Sequence, residues 1–385
     1  KHSFLVVFVC VYSLLVAQNE YNQWVFSKAS YLDSAIRLHF ATSPIVTKNI
    51  SPEGIFFPGV RPASYCNSKG KLLYYSDSYS IWNSDHKELS GSIPENHWHN
   101  SVFLPSLKDS NVVWYFKASN GTDLKSPIKY YKIDKRQNNG LGGVEGSFST
   151  FPSYSMIEVT ATLDEEKQSY WIASRGLQSS DDSIFIFNFN ENSNQIEYKN
   201  YPGQFSDYMW VQMSFSPDAS MLACPAELLY KFDNEMGKLN NPISLTKVFD
   251  HPRYDSFRST MTFKCFSPNS RYLYVLESLV HVDDFRKQKS FLVQYNLATW
   301  NEDSVIASRK ELALYPDENI GFGFMQLGPD GKIYVIEDED EGEWLGVIHS
   351  PNKKAPACNY SSKGLYLKGG RAIDNLPNVV TTFYN

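Results

Sequence analysis

The chain has few cysteines for its length, and none of them forms a closely spaced pair. Five cysteines occur in 385 residues, and one, Cys10, lies in the apolar segment that opens the sequence. Structural zinc sites normally use cysteines about two to four residues apart, so this spacing excludes a zinc site built on cysteines. The remaining cysteines, an even number that permits disulfides without requiring them, are Cys66, Cys224, Cys265 and Cys358.

Basic residues are too few to give the chain a positive surface. Lys and Arg total 36 against 42 Asp and Glu, a net charge of −6. This balance offers no counter-ion field to a phosphate backbone, so nucleic acid is excluded as a partner. The one acidic run, residues 337–343, is predicted to be a solvated loop. We expect no bound cofactor, with calcium at that run as the alternative.

No apolar run is long enough to span a bilayer. The longest extends from Phe4 to Val16, whereas a membrane-spanning helix needs about 20 apolar residues. A basic start, a short apolar stretch and a small residue, Ala17, before polar positions are typical of a secretory signal peptide. We therefore predict a signal peptide at residues 1–17, a single mature domain at residues 18–385, and no membrane span after cleavage.

Motifs that carry catalysis are also missing. The sequence contains no GxSxG, no HExxH and no phosphate-binding loop. The glycine-rich stretch from Gly140 to Gly146 lacks the Lys-Ser/Thr that would grip a phosphate. We predict from these absences that the protein is not an enzyme, that it has no catalytic residues and that it binds no metal.

Aromatic residues and a repeated hairpin are what the sequence does have. Aromatics make up 15% of the residues, which favours half-buried strands, and no 3.6-residue apolar period follows the signal peptide. Six segments share one plan, a strand, a polar turn and an apolar-aromatic strand. They are NSKGKLLYYSD from Asn67, KDSNVVWYFKAS from Lys108, LDEEKQSYWIAS from Leu163, SFSPDASMLACP from Ser214, CFSPNSRYLYVLES from Cys265 and LGPDGKIYVIED from Leu327.

A strand-turn-strand unit repeated about every 50 residues predicts the blades of an all-β propeller. Six copies leave residues 24–40 and the tail after Ser350 for a seventh blade, so we predict seven blades, with six or eight as alternatives. We expect the N-terminal and C-terminal strands to pair in one sheet, because an open ring would expose strand edges. On that arrangement Cys66 and Cys358 would lie on neighbouring blades, and geometry decides whether they form a disulfide.

The same segments resemble a known family. The stretches from Gly70, Ile128, Phe215, Phe266 and Met325, and above all LGVIHSPNKKAPACNY from Leu345, are similar to the N-terminal propeller of gliding-motility-associated proteins exported by the type IX secretion system. The resemblance covers nearly the whole mature chain. It implies export to the outer surface of an outer-membrane bacterium, contact with the secretion machinery, and membership of a larger surface protein with a type B sorting domain.

In a propeller, the connections that lead into the inner strands surround one mouth of the channel, where small ligands usually bind. Aromatic and basic residues recur there, and such side chains suit glycan or peptide recognition. His97 and His99 alone do not make a metal site, because no third ligand is apparent. The predicted ligand-binding residues are Arg61, His97, Trp98, His99, Tyr154, Asp207, Tyr208, Trp210 and Arg258.

These observations lead to one main hypothesis and two alternatives. The main hypothesis is a secreted, non-catalytic adhesion propeller with WD40-like repeats that binds a glycan or a surface protein. The first alternative is a secreted propeller hydrolase, lactonase-like or glycan-cleaving, which requires carboxylates or metal ligands from different blades to meet at the channel mouth. The second alternative is a purely structural spacer.

Overall fold

A computed structural model of the chain describes nineteen segments that together carry seven antiparallel sheets. The described residues are 19–26, 35–40, 44–50, 61–77, 80–89, 99–119, 128–148, 155–156, 158–177, 183–191, 197–202, 212–225, 227–245, 257–281, 283, 288–315, 322–337, 342–372 and 376–384. The predicted signal peptide lies outside these residues. Within them, no helix is long and apolar enough to cross a membrane.

Each sheet is one blade, and the blades follow one another along the chain. Blade I has β1 (Gln23–Phe26), β2 (Ala35–Phe40) and β3 (Pro44–Ile50); blade II has β4 (Ala63–Cys66), β5 (Leu72–Ser76) and β6 (Ile81–Asn83). Blade III has β7 (His99–Pro105), β8 (Val112–Ser119), β9 (Lys129–Asp134) and β10 (Gly143–Phe148). Blade IV has β11 (Ser155–Met156), β12 (Thr160–Asp164), β13 (Ser169–Leu177), β14 (Ser183–Phe189) and β15 (Glu197–Pro202).

The last three blades are more regular, with four strands each. Blade V has β16 (Ser214–Phe215), β17 (Met221–Ala223), β18 (Leu228–Asp233) and β19 (Lys238–Ser244). Blade VI has β20 (Phe257–Phe266), β21 (Tyr272–His281), β22 (Gln288–Asn296) and β23 (Lys310–Tyr315), with the helix α1 (Glu302–Ala307) before β23. Blade VII has β24 (Phe322–Leu327), β25 (Ile333–Glu337), β26 (Trp344–Ile348) and β27 (Tyr360–Tyr366).

The inner strands β1, β4, β7, β12, β16, β20 and β24 line a central channel, because each contacts the inner strand of the next blade from β1 through to β24. Adjacent blades bury their faces against each other: Trp171 and Ile184 of blade IV share an apolar cluster with Phe215 and Leu222 of blade V. Central strands buried on both faces explain the aromatic richness of the sequence. The prediction of an all-β propeller with seven blades is confirmed.

The repeated turns have a common hydrogen-bond pattern. In blade V the Ser216 hydroxyl donates to Asp218 at 2.6 Å and accepts from the Met221 amide at 2.9 Å. Two equivalent positions, Ala219 and Gly331, have φ of +54° and +74°. This tight turn requires a left-handed residue at that position, which is why the copy that starts at Leu327 carries glycine there.

The ring does not close as the sequence suggested. Blade I contains only N-terminal strands and blade VII only C-terminal ones, so the expectation of N- and C-terminal strands paired in one sheet is wrong for the described residues. Packing joins these blades instead, with the Trp24 and Tyr334 rings 5.6 Å apart and the Phe40 and Tyr334 rings 5.5 Å apart. Each of these two sheets is built entirely from strands of its own part of the chain, so neither needs a strand from the other. The aromatic contacts bury the faces that the two sheets turn toward each other.

The chain end enters the channel. The Asn378 amide donates to the Pro62 carbonyl at 2.8 Å, and its side chain donates to the carbonyls of Ser101 at 3.1 Å and Val159 at 2.8 Å. Further along, Thr381 donates to the Phe215 carbonyl at 3.2 Å. Residues 376–384 therefore run beside the inner strands of four blades and fasten them to one another. We call this stretch the channel segment.

Candidate active site in the central channel

A buried group of four polar side chains crosses the channel. Three of them lie at the end of the channel where the inner strands begin, and the fourth, Gln326, lies near the end of β24. Arg61 precedes β4, and its guanidinium donates to Glu158 at 2.9 Å and to the Gln326 side chain at 3.1 Å. Glu158 precedes β12, and Gln326 lies on β24, so one arginine connects three blades. Arg61 is 3% exposed and Glu158 is fully buried.

Glu158 is the best-supported acid in this group. Its carboxylate also accepts a hydrogen bond from the Asn100 side chain and one from the Met213 backbone amide, so residues of four blades, II to V, meet around it. Burial raises the pKa of Glu158 to about 7, and the nearby charge of Arg61 acts in the opposite direction. A carboxyl that titrates near neutrality can hold a proton or release it under ordinary conditions.

The channel segment packs directly next to this group. The Asn378 side chain bonds to the carbonyl of Val159, the residue after Glu158, and to that of Ser101, the residue after Asn100. Asn378 is 1% exposed. The position of the Arg61–Glu158 pair is therefore set by four inner strands and by the chain end together.

The position of Arg61 in the structure differs from the predicted one. The sequence placed it on an accessible rim, whereas it is buried and its carboxylate partner belongs to the same chain. The chain before β4 turns its side chain into the channel, where ion pairing offsets the cost of burying the charge. The burial of Arg61 departs from the expected rim position, and its role in ligand binding stays a prediction.

Most other predicted rim residues lie outside the described part of the chain. They are His97, Trp98, Tyr154, Asp207, Tyr208 and Trp210. His99 begins β7 opposite Ser119, and Arg258 lies on β20 opposite Val280, but only their backbones are described. Within the described residues, the side chains brought together in the channel are instead Arg61, Asn100, Glu158 and Gln326.

Sequence reasoning missed Asn100, Glu158 and Gln326. Glu158 and Gln326 are single polar residues beside apolar neighbours, Asn100 lies in a polar stretch, and nothing in these local patterns marks any of the three. One signal was available in the sequence: a charged residue at the start of an inner strand indicates an oppositely charged partner in the channel, because burying an unpaired charge is costly. Arg61 and Glu158 occupy comparable positions in blades II and IV, so the two charges could have been matched.

The proposed disulfide is not formed. Cys66 and Cys358 are both buried free thiols, as are Cys224 and Cys265. Cys66 packs with Val25 and Trp82 of blades I and II, whereas Cys358 packs with blades VI and VII. Blade I separates blade II from blade VII, so the predicted neighbourhood of the two cysteines does not exist. Burial raises the pKa of Cys66 to about 12, which keeps the thiol protonated.

The described residues contain no preformed metal site, because no three His, Cys, Asp or Glu side chains among them are grouped to hold an ion. Glu337, the first residue of the acidic run, is buried at the end of β25. Residues 338–341 lie outside the described part. Calcium at the run remains a sequence-based alternative.

Comparison with known proteins finds solved structures with a distant similarity to the chain. No protein-family model and no curated protein matches the chain. An endo-arabinase from Bacteroides thetaiotaomicron is 12% identical, with 93% of this chain and 98% of that one covered and a TM-score of 0.32. An exo-beta-1,3-galactanase from Phanerochaete chrysosporium is 8% identical, with 86% and 76% covered and a TM-score of 0.34.

A third structure is a bifunctional GH43-CE protein from Bacteroides eggerthii, 10% identical, with a TM-score of 0.36. The match covers 71% of this chain, which spans 34% of that protein. The first two structures are described as glycan-cleaving enzymes, contrary to the expectation of a non-catalytic adhesion module. That expectation, and the prediction that the protein is not an enzyme, are corrected here. At these identities and TM-scores, the likeness carries no argument about what this chain does.

Proposed function

We propose that the protein is a glycan-cleaving hydrolase in which Glu158 is the proton donor. The observation that carries the proposal is the carboxyl of Glu158, which lies buried in the channel among polar side chains from neighbouring blades, where burial raises its pKa. Glycosidases require one carboxylic acid that stays protonated near neutral pH, and burial is the usual way to obtain it. Arg61 and Asn100 hold the carboxyl in place.

Hydrolysis would proceed by proton transfer and attack of water. Glu158 gives its proton to the glycosidic oxygen as the bond to the anomeric carbon breaks, and a second carboxylate takes a proton from the attacking water. Asp207 is our candidate for the second carboxylate, because the sequence places it in the connection leading into blade V. Since Glu158 is fully buried, an entering glycan must displace the groups that cover it.

Replacement of Glu158 by glutamine tests this function. We expect the purified wild-type chain to release reducing ends from at least one member of a polysaccharide panel. The Glu158→Gln variant should be slower by about 100-fold or more, because the proton donor is gone. Asp207→Asn should have a similar effect. Asp85→Asn, an exposed carboxylate in blade II, is the matched control.

The pH profile supplies a second readout. Because Glu158 must be protonated to act, activity should fall as pH rises through about 7 and fall about tenfold for each further pH unit. Thermal unfolding of each variant would separate loss of chemistry from loss of folding. Absence of cleavage on every polysaccharide, or full activity in a folded Glu158→Gln variant, would refute the proposal.

We also propose that the protein is exported and belongs with the gliding-motility-associated proteins secreted by the type IX system. The predicted cleavage after residue 17 supports this, because the folded body starts close behind it: Asn19 bonds to the Ser68 carbonyl, and Tyr21 is fully buried. N-terminal sequencing of the protein from its native host should begin near Gln18. Retention of residues 1–17 in the mature protein would contradict export by this signal.

A further inference from the structure

The opposite end of the channel, where the inner strands end, contains an acidic cavity of about 390 Å³ between blades IV and V. Thr382 of the channel segment forms part of its wall. Five carboxylates line it, from the turns after β12, β16 and β18: Asp164, Glu165, Glu166, Asp218 and Glu235. A cavity of this size is large enough for a small organic ligand or a long side chain.

Asp164 shows that this charge is only partly neutralised within the protein. It is 3% exposed, and its Oδ1 accepts from the Lys167 amide at 3.1 Å. Its Oδ2 is buried without a hydrogen-bond donor. The Lys167 ammonium is 3.9 Å away, too far for a hydrogen bond, and it donates to the Glu235 carbonyl instead.

A second acceptor at the same cavity lacks a donor. The Oδ1 of Asn234 is buried and has no hydrogen-bond partner. Hydrogen bonds from Ser216 and Ser220 outweigh burial and lower the pKa of Asp218, which keeps that carboxylate charged. Buried acceptors without donors are rare in native proteins, and they point to a ligand that brings N–H groups.

The far wall of the cavity is held rigidly. The indole of Trp171 donates to the Asn234 carbonyl at 2.7 Å, which anchors the turn carrying Asn234 and Glu235. Gly237 closes that turn with φ of +62°, and a Cβ there would lie 2.3 Å from the Trp171 ring. Only glycine allows the backbone to approach the Trp171 ring this closely, so packing against that ring fixes the position of the turn.

From this arrangement we infer that the cavity is a binding site for an organic cation with several N–H donors, an alkyl-ammonium or a guanidinium group. A compact metal ion needs ligands gathered at short range, and the described residues contain no such group of three. Carboxylates spread around a cavity suit a cation whose charge and donors are spread as well. The Lys167 ammonium donates to the backbone carbonyl of Glu235, so one cation of the chain already lies beside a residue of the cavity wall.

Calorimetric titration of the full chain with agmatine, and with a short peptide carrying two arginines, tests this site. We expect binding that weakens as salt is raised, because the contacts are ionic. Asp164→Asn should weaken it tenfold or more. Because Asp164 is buried and its replacement can perturb folding, Glu235→Gln at an exposed position provides a second variant, expected to weaken binding severalfold. Asp85→Asn is again the control.

The two probes distinguish the sources of the cation. Equal affinity for agmatine and the peptide indicates a free amine as the ligand, and tighter binding of the peptide indicates a side chain of a protein partner. Failure of both probes to bind at millimolar concentration would overturn the proposal. So would displacement of agmatine by equimolar calcium, or binding unchanged in folded Asp164→Asn and Glu235→Gln variants.

Discussion

Replacing Arg61 with methionine is expected to lower the free energy of unfolding by about 3–5 kcal/mol at pH 8, the usual cost of removing one partner from a buried ion pair. The variant leaves the Glu158 carboxylate without its cation, and Gln326 also loses a donor. Methionine has a similar length and adds no charge, so the change is mainly electrostatic. Urea unfolding followed by fluorescence measures the loss.

The loss should depend on pH. The pKa of Glu158 is about 7 in the folded state against 4.5 for the free side chain, so the folded state holds this proton more tightly. The contribution of Glu158 to stability is therefore greatest below about pH 4.5 and declines as pH rises through 7. The charge of Arg61 opposes this rise, so its removal should raise the pKa of Glu158 further. The loss of stability caused by Arg61→Met should therefore be larger at pH 8 than at pH 5.

A double variant completes the test. Arg61→Met combined with Glu158→Gln removes both charges and should recover part of the stability lost by Arg61→Met alone. Lys71→Met, an exposed lysine in the turn between β4 and β5, is the matched control and should change stability by less than about 0.5 kcal/mol. A cost for Arg61→Met that is equally small would mean that the pair does not hold the blades together.

Removal of the channel segment together with Asn385, the residue that follows it, should leave no folded propeller at 25 °C. Four apolar side chains of the segment are buried: Leu376, Val379, Val380 and Phe383. At about 1.5–3 kcal/mol each, their burial rivals the whole stability of a typical domain, about 5–15 kcal/mol. Circular dichroism and thermal unfolding of the shortened chain would show the result.

A point variant separates the role of the segment from its length. Asn378→Ala removes two hydrogen bonds and leaves the Ser101 and Val159 carbonyls without that donor. We expect a loss of about 2–4 kcal/mol, since each buried acceptor left unpaired costs about 1–3 kcal/mol. Lys368→Ala, before the segment, should have little effect. A shortened chain that unfolds cooperatively at the wild-type temperature would contradict our account of closure.

Local patterns were sufficient for the blades. The Ser-Pro-Asp turn at Ser216 and its equivalent at Ser267 combine a hydroxyl that caps the turn with a left-handed residue three positions later, and both requirements are local. The aromatic strands that follow could be recognised for the same reason. The way in which the ring closes could not be predicted from local patterns. The two possibilities were pairing of β1 with a C-terminal strand and packing of Trp24 on Tyr334, and both involve residues far apart in sequence.

The candidate site was predicted less well than the fold. Rim residues such as Trp98 and Asp207 were selected by composition, and they lie outside the described residues. Arg61 was selected correctly as a channel residue but with the wrong exposure. Its partner Glu158 is 97 residues away, and only the ring brings the two charges together.

The sequence by itself determined the strands and the turns, because hydrogen bonds within a hairpin and the alternation of buried side chains act over a few residues. The tertiary structure alone decided that the channel segment fastens the inner strands, that Cys66 and Cys358 stay apart, and that Glu158 titrates near neutral pH. The physical reason is that burial and Coulomb interactions depend on which distant segments meet, and that is settled only when seven blades close into a ring.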